Sequence, residues 1–424
     1  MSVLIRNARV LLAMPAHPGC ALRGGAMGGW PVIERGDVLI EGDRIARVGA
    51  ADGGWGAARE IDAGGRVLMP GLVDCHTHAC WAGDRFDEWE LKRSGVTYLE
   101  ILKRGGGIMS TVRAVRKATL GELAASLGER LSRMLRLGST TIEVKSGYGL
   151  STADELKMLR AIGDAAAGFG GTVVPTALIG HAIDADAPSA AEFVERTIRE
   201  TLPAIHAEFP GIAIDAYCEQ GAWSLADCRR LFERAMELGH PVRVHADQFN
   251  NLGIIGLNAE WCGRAGDSGG DIRGDLGGGG FRTVDHLEAS DAASLAALAR
   301  SPSIGTLLPC TGFHTDGRYA NGRGLIDAGG AVALASNANP GSSPCLSMQM
   351  AIALSVRFNG LGVREALAAA TVNAGIAAGL GDRGVISPGA RADVILLDVR
   401  DERALAYEFG GNAVGRVFCG GVEP

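Results

Sequence analysis

The sequence predicts an α/β fold: a (β/α)8 barrel of the TIM type, joined to a small β-sandwich built from both chain termini. Three observations carry this. Through the middle of the chain, apolar strand-like runs alternate with amphipathic helical runs, the pattern of a parallel sheet covered by helices. Eight strand candidates recur, and the seven repeats between His76 and Asn337 average about 37 residues, the size of a βα unit. Short β-rich runs also appear at both ends, separated by Gly and Pro turns.

At the N-terminal end the runs are VLIRNARVLL, DVLIEG and RIARVG, and at the C-terminal end RADVILLDV and VGRVFCGG. They place residues 1–66 and 381–424 in the sandwich and 67–380 in the barrel. Residues 17–31, HPGCALRGGAMGGWP, read as a mobile loop. The barrel strands are expected at 67–78, 140–147, 171–182, 212–220, 242–248, 282–288, 304–309 and 331–337. Between them, stretches such as LGELAASLGERLSRMLRLG and SLADCRRLFERAMELG repeat apolar residues every three or four positions. The Gly-rich run 263–280 breaks the rhythm and reads as a flexible surface insertion.

A chain of 424 residues that is 47% hydrophobic has material for a large core. The net charge of −7 argues against nucleic acid as a partner. No apolar run reaches transmembrane length, and the N-terminus has neither a long apolar region nor a cleavage site. Nine cysteines without a CxxC pair read as free thiols in a reducing, cytoplasmic setting.

Polar residues gather where the strand candidates stop. They include His76, His78, Tyr148, His181, Glu219, His245, Gln248, His286 and Asn337. In a parallel barrel these ends converge on one mouth, where active sites form. His76 and His78 are two apart, so on a strand both imidazoles share a face and can reach one ion. His245, ending strand five, is the natural third ligand. Three histidines leave an open position for water, as a catalytic zinc requires. His286 is placed to hydrogen-bond that water or a substrate carbonyl in the transition state. Strand four carries no Lys between Phe209 and Trp223, which favours one ion over two. Each residue has an ordinary reading as core or rim; their common placement favours an enzyme.

The motifs resemble a known family. PGLVDCHTH fits the first barrel strand of the amidohydrolase superfamily. AGDRFDEWELKRSGVTYLEILKRGGGI, EVKSGYGL, GHA, CEQGAWS, HADQ, DHLE, LLP, NPGSSP and the closing NAGIAAGLGDRGVISPGARADVILLD narrow it to the imidazolonepropionases. The resemblance spans nearly the whole chain, and KSGYGL and NPGSSP are far more specific than HxH. It implies hydrolysis of 4-imidazolone-5-propanoate to N-formimidoyl-L-glutamate with one Zn2+ or Fe per subunit, and a possible homodimer. By resemblance, His76, His78 and His245 hold the metal. Arg85 holds the propionate through its planar fork. Tyr148 and His181 contact ring and carboxylate, and Gln248 hydrogen-bonds the ring. Asn339, Gly341 and Ser342 bind the glutamate portion.

One position departs from the family. Strand eight of the family ends in an Asp that binds the metal and shuttles the proton, and here that position is Asn337. An amide oxygen can still be a weak ligand, but it carries no charge and takes no proton at neutral pH. Asp247 and Asp285 match carboxylates the family already has and are no evident replacements. Two alternatives therefore stand beside the active hydrolase. One is a weakened or silent homologue that binds a related carboxylate. The other is a deaminase of an amino-heterocycle, for which a Glu rather than Gln248 would be the proton shuttle.

Overall fold

The computed structural model describes residues 2–12, 19–51, 54–96, 100, 105–266 and 279–424. Its larger sheet has eight strands, all parallel. They are β6 (Leu72–Asp74), β7 (Ser139–Lys145), β8 (Thr172–Gly180), β9 (Ala213–Cys218), β10 (Val242–Ala246), β11 (Thr283–His286), β12 (Ile304–Leu307) and β13 (Ala331–Leu334). Each neighbours the next in chain order. The ends of the sheet meet just beyond β6 and β13. There Asn337 N donates to His76 O at 3.1 Å, and His78 N donates to Ala338 O at 3.0 Å. The result is a TIM-like (β/α)8 barrel.

Helices form between the strands where the repeat predicts them, and their ends are chemically marked. Thr119 caps the helix Leu120–Arg136 with a reciprocal bond to Glu122, and Ser224 caps Leu225–Glu237 through Asp227 N. Leu123, Leu127, Leu131 and Met134, at three- or four-residue spacing, are the buried stripe of the first of these.

The second sheet joins the two ends of the chain. It holds β1 (Ser2–Leu11), β2 (Val32–Glu41), β3 (Arg44–Ala50), β4 (Arg59–Asp62), β5 (Val67–Pro70), β14 (Val394–Leu397) and β15 (Val414–Phe418). β5 is the joint: it runs parallel to β1 and antiparallel to β14.

This corrects the reading of 67–78 as one barrel strand. Val67–Pro70 lies in the small sheet, only Leu72–Asp74 lies in the barrel, and Gly71 makes the switch. A Cβ at Gly71 would sit 2.1 Å from Thr140 Oγ1, so the crossing needs glycine. Residues 17–31 also differ from the expected mobile loop in their described part. Gly24–Met27 form a 3-10 turn, and Leu22, Met27 and Trp30 are buried. In the Gly-rich run, 263–266 complete the helix Ile254–Gly266, while 267–278 lie outside the described residues.

Candidate active site

Six non-glycine residues among those described have positive φ, and five end or follow barrel strands on the same side: Leu150, Asp247, His286, Leu287 and Asn337. Such backbone is costly and persists where the surroundings over-determine it, as at functional sites. The predicted residues lie at this mouth. Tyr148 follows β7, His181 β8, Glu219 β9, Gln248 β10 and Asn337 β13, while His286 ends β11. His76 and His78 lie past the end of β6. Backbone bonds to the last residue of β7 and to the run beyond β13 hold them there: Lys145 N donates to Thr77 O at 3.0 Å, besides the bonds of His76 and His78 to Asn337 and Ala338.

The four imidazoles converge. Ring nitrogens of His76, His245 and His286 all lie within 4.8 Å of one another, and all three rings are buried. His78 joins from one side, its Nε2 3.2 Å from His245 Nε2. Thus the tight trio contains His286, where the sequence suggested His78. His76 Nδ1 bonds Asp285 Oδ2 at 2.7 Å, and His245 Nδ1 bonds Asp215 Oδ1 at 3.1 Å. A carboxylate only accepts, so both Nδ1 atoms carry the proton and both Nε2 atoms present a lone pair.

These nitrogens fit a metal ion. His76 Nε2 is buried without a partner. The His245 Nε2 lone pair faces a second ring nitrogen, that of His78. Two nitrogens bound at about 2.0–2.1 Å to one tetrahedral ion would lie about 3.3 Å apart. Burial, then the Lys145 charge, pushes His76 and His245 well below the usual imidazole range, and burial, then His181, does so for His78. All three are neutral, as ligands must be.

Beneath them lies a charged layer that pattern reading missed. Lys145 Nζ donates to Glu143 Oε1 at 2.8 Å and to Asp215 Oδ2 at 2.7 Å. Arg243 Nη2 donates to Cys75 O at 2.6 Å and to Asp285 Oδ2 at 3.4 Å. Formally, three carboxylates face two cations, a field that favours one more positive charge. Burial opposes ionisation of Asp285, but Arg243 and Lys145 outweigh it and hold its carboxyl below the usual range. A signal was present: Glu143 and Lys145, and Arg243 and His245, each two apart on a buried parallel strand, put charge on one inward face.

The expected substrate contacts are built around this centre. His181 stacks on His78 with ring centroids 4.9 Å apart, and Tyr148 lies 5.2 Å from His181. His181 Nδ1 donates to Gly147 O at 2.9 Å, which leaves Nε2 without a proton, and burial lowers its pKa to about 4. Gln248 Oε1 accepts from Tyr217 Oη at 2.8 Å, so its amide N–H2 is the end left to offer.

Arg85 is held by Glu88, with Nε donating at 2.6 Å and Nη2 at 2.5 Å. Its Nη1 turns toward Gly341, where an added Cβ would lie 2.9 Å away. Asn339, Gly341 and Ser342 engage one another. Asn339 Oδ1 accepts from Gly341 N at 2.8 Å and Ser342 N at 2.7 Å, and Asn339 Nδ2 donates to Asn337 O at 2.7 Å. The loop is thereby closed on Asn339, tied to the run after β13, and set beside Arg85.

A model of the amidohydrolase family matches residues 67–423. The chain belongs to the amidohydrolase family. Within it, this member is similar to the imidazolonepropionase of Deinococcus radiodurans, 44% identical over 97% of both chains. It is 41% identical to that of Herpetosiphon aurantiacus, over 98% of this chain and 95% of the relative. Such identity over such length places it in the imidazolonepropionase family. Among solved structures, this amidohydrolase resembles 5-methylcytosine deaminase from Klebsiella pneumoniae, with TM-score 0.71, 19% identity, and coverage of 100% and 97% of the two chains. It also resembles Escherichia coli guanine deaminase, with TM-score 0.69, 15% identity, and coverage of 100% and 99%. At that identity the likeness concerns the barrel and its companion sheet.

Proposed function

We propose that this amidohydrolase opens the cyclic amide of 4-imidazolone-5-propanoate to N-formimidoyl-L-glutamate. The full-length likeness to imidazolonepropionases supports this reading. The observation that carries it is the joining of a neutral histidine cluster with Arg85, Tyr148, His181 and the 339–342 loop at one mouth.

His76, His78 and His245 would hold one Zn2+ or Fe ion, with the Asn337 amide oxygen as an uncharged fourth donor. Bound there, the ion supplies a Lewis acid that makes water nucleophilic near neutral pH. The buried Lys145 adds positive charge nearby, which favours one ion over two.

Arg85 would bind the propionate, exchanging part of its bond to Glu88 for the substrate carboxylate. Tyr148 and His181 would fix the ring, and Gln248 would donate its amide N–H to a ring acceptor. Water adds to the ring carbonyl, the C–N bond opens, and the carbonyl carbon becomes a carboxylate. The departing amidine nitrogen takes a proton, which His286 is placed to relay. Glu288 accepts at 3.3 Å from His286 Nδ1 and so leaves Nε2 for that exchange.

Asn337 supports a second reading, a weakened homologue, because an amide cannot relay a proton. The deaminase reading is disfavoured by the Tyr217–Gln248 bond, which leaves an amide donor where a proton-shuttling carboxylate would be needed. Mass analysis of the product in 18O-labelled water separates these readings. Ring hydrolysis gives substrate plus one labelled water with no ammonia. Ammonia released from an amino-heterocycle offered in parallel indicates a deaminase, and both substrates unchanged a silent homologue.

A further inference from the structure

The segment Gly147–Leu150 carries Tyr148 and has an unusual backbone, with φ of 108° at Gly147 and 52° at Leu150. A carboxylate holds it from the inside. Glu155, on the helix Thr152–Ala167, is fully buried and accepts three backbone bonds of 2.8 Å, from Gly147 N to Oε2 and from Gly149 N and Leu150 N to Oε1. Room is tight: a Cβ at Gly149 would lie 2.6 Å from Glu155 N.

Arg116 holds the same segment from the other side. Its Nε donates to Gly149 O at 2.9 Å, its Nη2 to Leu150 O at 3.3 Å, and Nη2 also to Asp184 Oδ2 at 2.6 Å. Asp184 lies three residues past His181, and His181 donates to the remaining carbonyl, Gly147 O. Every polar backbone group flanking Tyr148 that these bonds reach is thus tied to Glu155, Arg116 or His181. The tie also spans the loops after β7 and β8.

We propose that Glu155 and Arg116 are positioning residues that clamp Tyr148 and His181 in the orientation that receives the substrate. Neither touches the histidine cluster. Glu155 fixes the strained backbone turn, the turn fixes Tyr148, and its Gly147 carbonyl fixes the His181 tautomer with Nε2 open. Arg116, through Asp184, keeps the second loop in register with the first. Carboxylate bonds to backbone N–H are strong, and a carboxamide puts a donor in place of one oxygen, so that one or two of the three bonds are lost. This inference rests on the proposed roles of Tyr148 and His181.

The test compares Glu155→Gln, Glu155→Asp and Arg116→Gln with Glu208→Gln. The last breaks an exposed pair between Glu208 and Arg160, which is on the same helix as Glu155. Steady-state kinetics on imidazolonepropionate are measured together with metal affinity and amide hydrogen exchange over residues 146–151. The expected result for Glu155→Gln is KM raised at least tenfold, kcat within threefold, metal affinity unchanged, and exchange in the segment at least tenfold faster. Glu155→Asp should recover part of the KM, Arg116→Gln should raise KM about threefold or more, and Glu208→Gln should change nothing. Unchanged KM and exchange in folded Glu155→Gln would overturn the proposal, as would an equal loss of metal affinity. If Glu155→Gln does not fold, Arg116→Gln decides by the same readouts. If the unmodified protein does not turn over, the proposed activity fails on its own, and exchange in the segment still decides whether the clamp exists.

Discussion

Asn337 Nδ2 donates to Thr311 Oγ1 at 2.9 Å, and this bond orients the amide so that Asn337 Oδ1 is buried with no partner. The orphaned oxygen lies at the end of β13, where Asn337 N bonds His76 O. A buried acceptor left open costs on the order of 1–3 kcal/mol unless something satisfies it. A cation among the histidines would. Asn337→Asp should therefore tighten metal retention and raise kcat/KM, each about tenfold or more, since the hydroxyl of Thr311 can donate to a carboxylate as readily as it accepts from an amide. Chelator competition and turnover check this, and equal values for the two forms would remove Asn337 from the ligand set.

Asp285 should matter through His76. It fixes the Nδ1 proton and so keeps Nε2 free to ligate. Loss of such a partner weakens metal binding by roughly 10–100-fold. Asp285→Asn is expected to show that loss in equilibrium dialysis while remaining folded by circular dichroism. Full metal affinity would mean that His76 needs no such orientation.

Gly341 offers a way to disturb Arg85 without removing it. An added methyl would meet Arg85 Nη1 at 2.9 Å, the flexible end of a side chain. Gly341→Ala should raise KM about fivefold or more with kcat and melting temperature nearly unchanged. A KM equal to that of the unmodified protein would place the carboxylate elsewhere.

The Arg85–Glu88 pair also sets a pH dependence. Burial alone would raise the Glu88 carboxyl, but Arg85, the Gly107 N–H and Lys92 outweigh it and hold it at about 2. Its folded pKa thus lies below the ordinary 4.5 of the unfolded chain. The folded state favours the ionised form, so the stabilisation is complete above pH ~5 and is lost as pH falls toward about 2. The melting-temperature gap between the unmodified protein and Glu88→Gln should be constant above pH ~5 and should shrink below it. A gap that widens with acid would contradict the pairing.

Much of this was legible in the sequence because it depends on period and position. Strand-like runs about 37 residues apart gave the barrel, and their polar ends gave the mouth. What was not legible depends on contacts across the fold. Val67–Pro70 and Leu72–Asp74 read as one apolar run, and only their pairing with different sheets shows that the chain changes sheets at Gly71, where a side chain would meet Thr140. Glu155 looks like any first-turn acid of a helix until Gly147–Leu150 folds onto it. Thr311 carries no motif, and its role appears only where β12 and β13 end side by side. His286 joins His76, His78 and His245 because the orientation of rings across the barrel, not spacing along one strand, decides which nitrogens converge.

The most direct test loads the purified protein with Zn2+ or Fe2+, confirms one ion per chain, and follows loss of imidazolonepropionate with formation of N-formimidoylglutamate. A turnover number in the ordinary enzymatic range, roughly 1–10³ s⁻¹, is the predicted result. Fully metal-loaded protein with no turnover above background would contradict the account.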